Sequence, residues 1–171
     1  IRTQRRSGIP LTAQPTLLFD VVDVGSSLES QAKKVIHFEK DAGFASLVSG
    51  DMPKMVEAIF STSQGQLSET ANKFLRQAEN WGLKAYSVHD ADTFGLQMSL
   101  LYGLASKNNC YMPSEFYPEN VTSLGFFPSI AKSLKLPAEA VTEEEEKIFA
   151  NLRQMAEAKP ELAQDVETLI E

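Results

Sequence analysis

The run Leu83-Lys84-Ala85-Tyr86-Ser87-Val88-His89-Asp90-Ala91-Asp92-Thr93-Phe94-Gly95 changes character once, at its two aspartates. Before them, a short apolar segment that follows Gly82 has the length and the aromatic and β-branched content of a buried strand. After them, Phe94 to Ala105 carries Leu96, Leu100 and Leu101 along one side, which is helical spacing. A strand that passes into a helix through an acidic turn is one βα unit, and the same texture recurs on either side. Upstream, Val35-Ile36-His37-Phe38 predicts a strand and residues 41–49 a short helix ended by Gly50, with Phe44, Leu47 and Val48 apolar. Ala58 to Thr62 predicts a second strand, followed by the loop Ser63-Gln64-Gly65-Gln66. Ser68 then caps a helix that turns Ala71, Phe74, Leu75 and Ala78 inward and stops at Gly82. Downstream, a fourth strand is expected at Asn109 to Met112, a helical turn beyond Pro128 and a break at Pro137. A helix from Thr142 to Lys159 follows, with Thr142 and Glu145 as a capping box, and Pro160 begins the last helix. Strands alternating with helices at this spacing predict an α/β fold with a parallel sheet.

Composition narrows the possibilities further. The 171 residues, 43% hydrophobic and 23% charged, suit one globular domain. No apolar run approaches the roughly 18 residues of a membrane span, so no membrane partner is expected. A lone cysteine, Cys110, makes neither an internal disulfide nor a cysteine-based zinc site, and it fits a reducing compartment as an inert thiol. The opening I-R-T-Q-R-R-S-G lacks the apolar core of a secretory leader and reads as part of a longer polypeptide. The net charge of −7 is unevenly spread. Residues 138–171 hold ten acids against three bases, which leaves the rest neutral with Arg2, Arg5 and Arg6 at one end, so an anionic partner is not excluded.

Three carboxylates stand at strand ends. Asp90 and Asp92 follow the third strand at a spacing that lets both side chains project to one side, and Glu39 follows the first. Ligands of open α/β sheets collect at those carboxyl ends. Carboxylates packed together raise one another's pKa, and a hard divalent cation relieves the repulsion by taking oxygens from all of them. The competing reading is structural, because strand-end aspartates often cap the next helix.

The segments F-E-K-D-A-G-F at 38–44, S-T-S-Q-G-Q at 61–66 and H-D-A-D-T-F-G at 89–95 resemble a Toprim domain. More narrowly, they are similar to the one in the A subunit of type IIB topoisomerases (topoisomerase VI) and the related meiotic double-strand-break proteins. L-G-F-F-P-S at 124–129 is similar to a further segment of that family, and the likeness covers Lys34 to Met155. Differences from the family pattern fall at Gln64, Leu67, Ser68, Thr93 and Phe94.

The resemblance implies a Toprim (Rossmann-like) α/β fold, a parallel sheet of about four strands flanked by helices with a C-terminal helical extension. The division expected is 1–33 as an N-terminal arm, 34–137 as the Toprim domain and 138–171 as an acidic helical extension. It further implies that Glu39, Asp90 and Asp92 are the acidic triad that binds Mg²⁺, with Lys40 in the E-K position and Gly65 and Gly95 as backbone supports. The implied activity is cleavage and religation of duplex DNA by transesterification, in the nucleus or on the nucleoid. A homodimer is implied, and an ATPase B subunit is its possible partner. The attacking tyrosine is expected on a separate upstream domain, so Tyr86, Tyr102, Tyr111 and Tyr117 are assigned to packing or surface. Two other readings stay open: a stand-alone metal-dependent Toprim nuclease and a non-catalytic assembly module. His37 reads as a packed or partly exposed strand residue and His89 as a neighbour of the acidic pair. Glu143 to Glu146 read as a solvated first helical turn, and Trp81 and the aromatics at 116–117 and 126–127 as core or interface.

Overall fold

In the computed structural model, which describes residues 2–3, 9–10, 28–48, 52–63, 65, 67–104 and 112–170, the strand and helix alternation builds a four-stranded parallel sheet. Near the start of the chain, β1 (Arg2–Thr3), β2 (Ile9–Pro10) and β3 (Leu28–Glu29) pair antiparallel in the order β2–β1–β3. The main sheet contains β4 (Lys34–Phe38), β5 (Ala58–Thr62), β6 (Lys84–Val88) and β7 (Val121–Ser123) in the order β5–β4–β6–β7. Lys34 lies opposite Ala58 and Lys84, Phe38 opposite Thr62 and Val88, and Ser87 opposite Ser123.

The connections are α1 (Asp41–Val48) and α2 (Met52–Met55) between β4 and β5, α3 (Glu69–Asn80) between β5 and β6, and α4 (Thr93–Leu101) after β6. Since β4 connects outward to β5 and β6 outward to β7, the order reverses between the neighbours β4 and β6. That reversal is where open α/β sheets form a crevice at their carboxyl ends. The Ser68 cap forms, with its hydroxyl accepting the Ala71 N–H at 3.1 Å.

The fourth strand comes later than the sequence suggests, at Val121–Ser123. Three residues are too short to register as an apolar run. The strand is located instead by the Glu79 carboxylate, which accepts the Glu119 and Asn120 amides at 2.7–3.1 Å just before it. Residues 109–111 of the expected strand, with Cys110 and Tyr111, lie outside the described residues, as do Gln64, Gln66, Arg5, Arg6 and the apolar stretch 17–24.

Alternation along the strands separates two faces. Val35 and Ala85 share one face and pack with Phe74, Leu75 and Ala78 of α3 and Met98 of α4. On the other, the Phe38 ring meets Phe44 of α1 and Phe60 of β5, with centroids 6.4 and 5.2 Å apart. The first face also carries a polar row, because Ser61, His37, Ser87 and Ser123 stand in register across all four strands. His37 is fully buried with Nδ1 2.9 Å from the Ser61 hydroxyl, and the edge of its ring faces Tyr102.

Helix α4 is buried on two sides. Met98 joins the sheet core, while Leu96 and Leu100 join Leu152, Ala156, Leu162 and Val166 in a second core. That second core is completed by α6 (Glu143–Ala156) and α7 (Ala163–Ile170), and α7 also packs with α5 (Pro128–Ser133). The expected capping box forms at Thr142 and Glu145, and Pro160 opens a 3₁₀ turn that leads into α7. The buried Asp165 carboxylate accepts the Ser129 N–H at 3.0 Å, tying α7 to the start of α5.

Candidate metal centre

The β4–β6 pairing continues one step beyond the strands, since the Glu39 N–H donates to the Val88 carbonyl at 3.0 Å. This seats Glu39 at the mouth of the crevice, with its side chain only 6% exposed. Its Oε2 accepts the Asp90 N–H at 3.2 Å. Its carbonyl accepts the Gly65 N–H at 2.7 Å, which pins Gly65, after β5, beside the site. Gly65 does so at φ +118°, a conformation that favours glycine. Burial raises the Glu39 pKa, and the nearby charges of Asp92 and Asp90 push it the same way.

Asp90 and Asp92 leave β6 differently. Asp90 is exposed and forms an ion pair through Oδ2 with the Lys40 ammonium, which arrives from the end of β4. Asp92 is the N-cap of α4, and its Oδ1 accepts the Gly95 N–H at 2.7 Å. The helix-cap reading of Asp92 therefore describes its present bond, while one hydrogen bond leaves a carboxylate further acceptor capacity. Gly95 is required by contact, because a Cβ there would stand 2.3 Å from the Asp90 carbonyl oxygen.

The sequence pattern assigns no role to Gly125, although it lies in L-G-F-F-P-S. A Cβ at Gly125 would stand 2.2 Å from the imidazole of His89, so the glycine makes room for that ring. His89 is buried, its Nδ1 lies 3.1 Å from the Asp90 carbonyl, and its ring forms a T-shaped pair with Phe127, centroids 5.4 Å apart. Burial lowers its pKa, and because a carbonyl only accepts, Nδ1–H is the donor to Asp90. In the sequence Gly125 is a lone glycine after a strand too short to register, so nothing local marks it.

As their side chains stand, Glu39, Asp90 and Asp92 do not enclose a point in space. Among the described residues no three Asp, Glu, His or Cys groups are arranged to hold an ion. The donor chemistry nonetheless suits a hard divalent cation, because all three are carboxylates and a cationic group, the Lys40 ammonium, already stands among them. Among the described residues, Tyr102 and Tyr117 are buried and Tyr86 lies half-buried within β6, while Tyr111 lies outside them. Glu143, Glu144 and Glu146 are exposed in the first turn of α6, away from any such role. No helix among the described residues is long and apolar enough to cross a membrane.

Residues 34–171 match the family model for the Toprim domain of the topoisomerase 6 A-subunit/Spo11 proteins. The chain is 27% identical over 117 residues to the A subunit of DNA topoisomerase 6 from Arabidopsis thaliana, covering 68% of this chain and 27% of that protein. It is 28% identical over 117 residues to the A3 subunit of DNA topoisomerase 6 from Oryza sativa subsp. indica, covering 68% and 26%. The chain thus spans about a quarter of the length of the curated relatives it matches.

Proposed function

Because the chain belongs to the Toprim-domain family of the topoisomerase 6 A-subunit/Spo11 proteins, we propose that it serves as the Mg²⁺-binding domain of an A-subunit-like polypeptide that cleaves and rejoins duplex DNA. In this reading Glu39, Asp90 and Asp92 hold the ion. The bound ion supplies charge neutralisation at the scissile phosphate and at the departing 3′ oxygen. The residues of this chain bind and orient. The buried Glu39 is the fixed ligand, held from behind by the Asp90 N–H, and Asp92 sits at a helix N-terminus whose partial positive charge favours anions.

The attacking tyrosine belongs to another domain of the polypeptide, and a second copy and an ATPase B subunit complete the machine. Residues 1–33 act as an arm, 34–137 as the Toprim domain and 138–171 as an acidic extension. The working compartment is the nucleus or the nucleoid, wherever the DNA lies.

The observation that carries this reading is the placement of Glu39 and Asp90 on either side of the β4–β6 crevice, joined by the Asp90 N–H. It is tested by calorimetric titration of the chain with Mg²⁺ and Mn²⁺ beside Glu39→Gln, Asp90→Asn and Asp92→Asn. Binding lost or weakened at least tenfold in all three supports it. Binding indifferent to all three overturns it in favour of an assembly module.

A further inference from the structure

We propose that Lys40 is a resident counter-ion of the acidic site, which a divalent cation must displace in order to bind. The inference rests on the metal reading of Glu39, Asp90 and Asp92. Each of the three carboxylates already has a partner, but the partners differ in kind. Glu39 and Asp92 accept backbone N–H groups, which occupy part of a carboxylate and add no net charge. Asp90 alone is held by a full positive charge, the Lys40 ammonium, reached across fifty residues of sequence. A divalent cation is compatible with the two amides and incompatible with the ammonium, since like charges at contact distance repel.

The position of Lys40 fits that role. It follows Glu39 where β4 ends, so the chain can bring it back over the carboxyl end of β6. Without it, no ion pair to Asp90 among the described residues would offset the three carboxylates at the crevice. Both partners are more than half exposed, at 55% and 53%, and an ion pair of that exposure is weak. The ammonium can therefore hold Asp90 in the metal-free protein and swing into water when a stronger cation arrives.

The test is Mn²⁺ titration by calorimetry of the whole chain, wild type beside Lys40→Met, Lys40→Arg and a charge control, Lys84→Met, at the opposite end of β6. Lys40→Met is expected to bind about three- to tenfold more tightly than wild type, with the gap narrowing as KCl rises. Lys40→Arg and Lys84→Met are expected to show no such gain. In the wild type, the ¹³Cε resonance of Lys40 is expected to shift on Mg²⁺ saturation.

Equal or weaker binding by Lys40→Met overturns the inference, as does an equal gain in Lys84→Met or an unmoved Lys40 resonance. In each of those cases the metal reading survives if wild-type binding still requires Glu39, Asp90 and Asp92. No binding by wild type or Lys40→Met overturns both.

Discussion

Burial without a compensating charge governs His37. Its Nδ1 meets Ser61, its Nε2 has no hydrogen-bond partner among the described residues, and burial pushes its pKa down to about 4. The unfolded chain takes up that proton near pH 6.5, while the folded chain resists until about pH 4. The stabilisation is thus complete above pH 6.5 and lost as pH falls through that window. Between pH 7.5 and 5, urea unfolding is expected to show wild type losing about 2 kcal/mol more than His37→Asn. Equal losses would mean that His37 is not the responsible group. In the sequence His37 reads as a packed or partly exposed strand residue, and its full burial and its partners emerge only from the fold. Ser61 and Ser87 meet it only through parallel register, which depends on how distant segments pair and leaves no local trace. The Lys40–Asp90 pair escaped for the same reason. The three acids were readable because each lies where an apolar strand gives way to a helix, a boundary that is itself written locally.

Among the elements, α4 departs most from its sequence pattern. Leu96, Leu100 and Leu101 suggested one apolar side, whereas Met98 and Ser99 are buried as well and the helix is packed from opposite directions. A helix apolar all round is a buried one, and periodicity read from leucines alone understates that. The second core explains the demand for it. Leu152, fully buried against α4, is expected to lose about 2–5 kcal/mol on substitution to Ala, measured by chemical denaturation. Glu144→Ala, on the exposed first turn of the same helix, is expected to change stability by less than about 0.5 kcal/mol. A comparable effect at both positions would show that α6 adds surface rather than core. The strands β4, β5 and β6 and the helices α3 and α6 were legible because each carries either a clear apolar run or a cap. The short α2 and β7 carry neither, and contacts made elsewhere in the fold hold them in place.

At the scale of the whole molecule, the acidic stretch 138–171 was visible as composition, but its packing was not. The exposed acids of α6 and α7 face solvent or a bridging base, as in the Arg153–Glu167 pair at 2.7–2.8 Å, while the opposite sides close the second core. The order β5–β4–β6–β7 could not be read from the alternation of elements, which fixes neither neighbours nor the reversal between β4 and β6. That order places the candidate centre between unequal supports. Asp92 begins α4, whose Leu96, Ser99 and Leu100 are wholly inaccessible, whereas Lys40 leads into α1, which contains no buried residue. Opening energies differ accordingly. Amides from Leu96 to Leu100 are expected to exchange with deuterium only when the whole chain unfolds, and those of α1 through local excursions at far lower free energy. Native-state hydrogen exchange in rising urea separates the two, and similar protection in both helices would refute the difference. The crevice is therefore expected to have one still wall, where Asp92 meets α4, and one restless one in α1 beyond Lys40, with the buried Glu39 held between them.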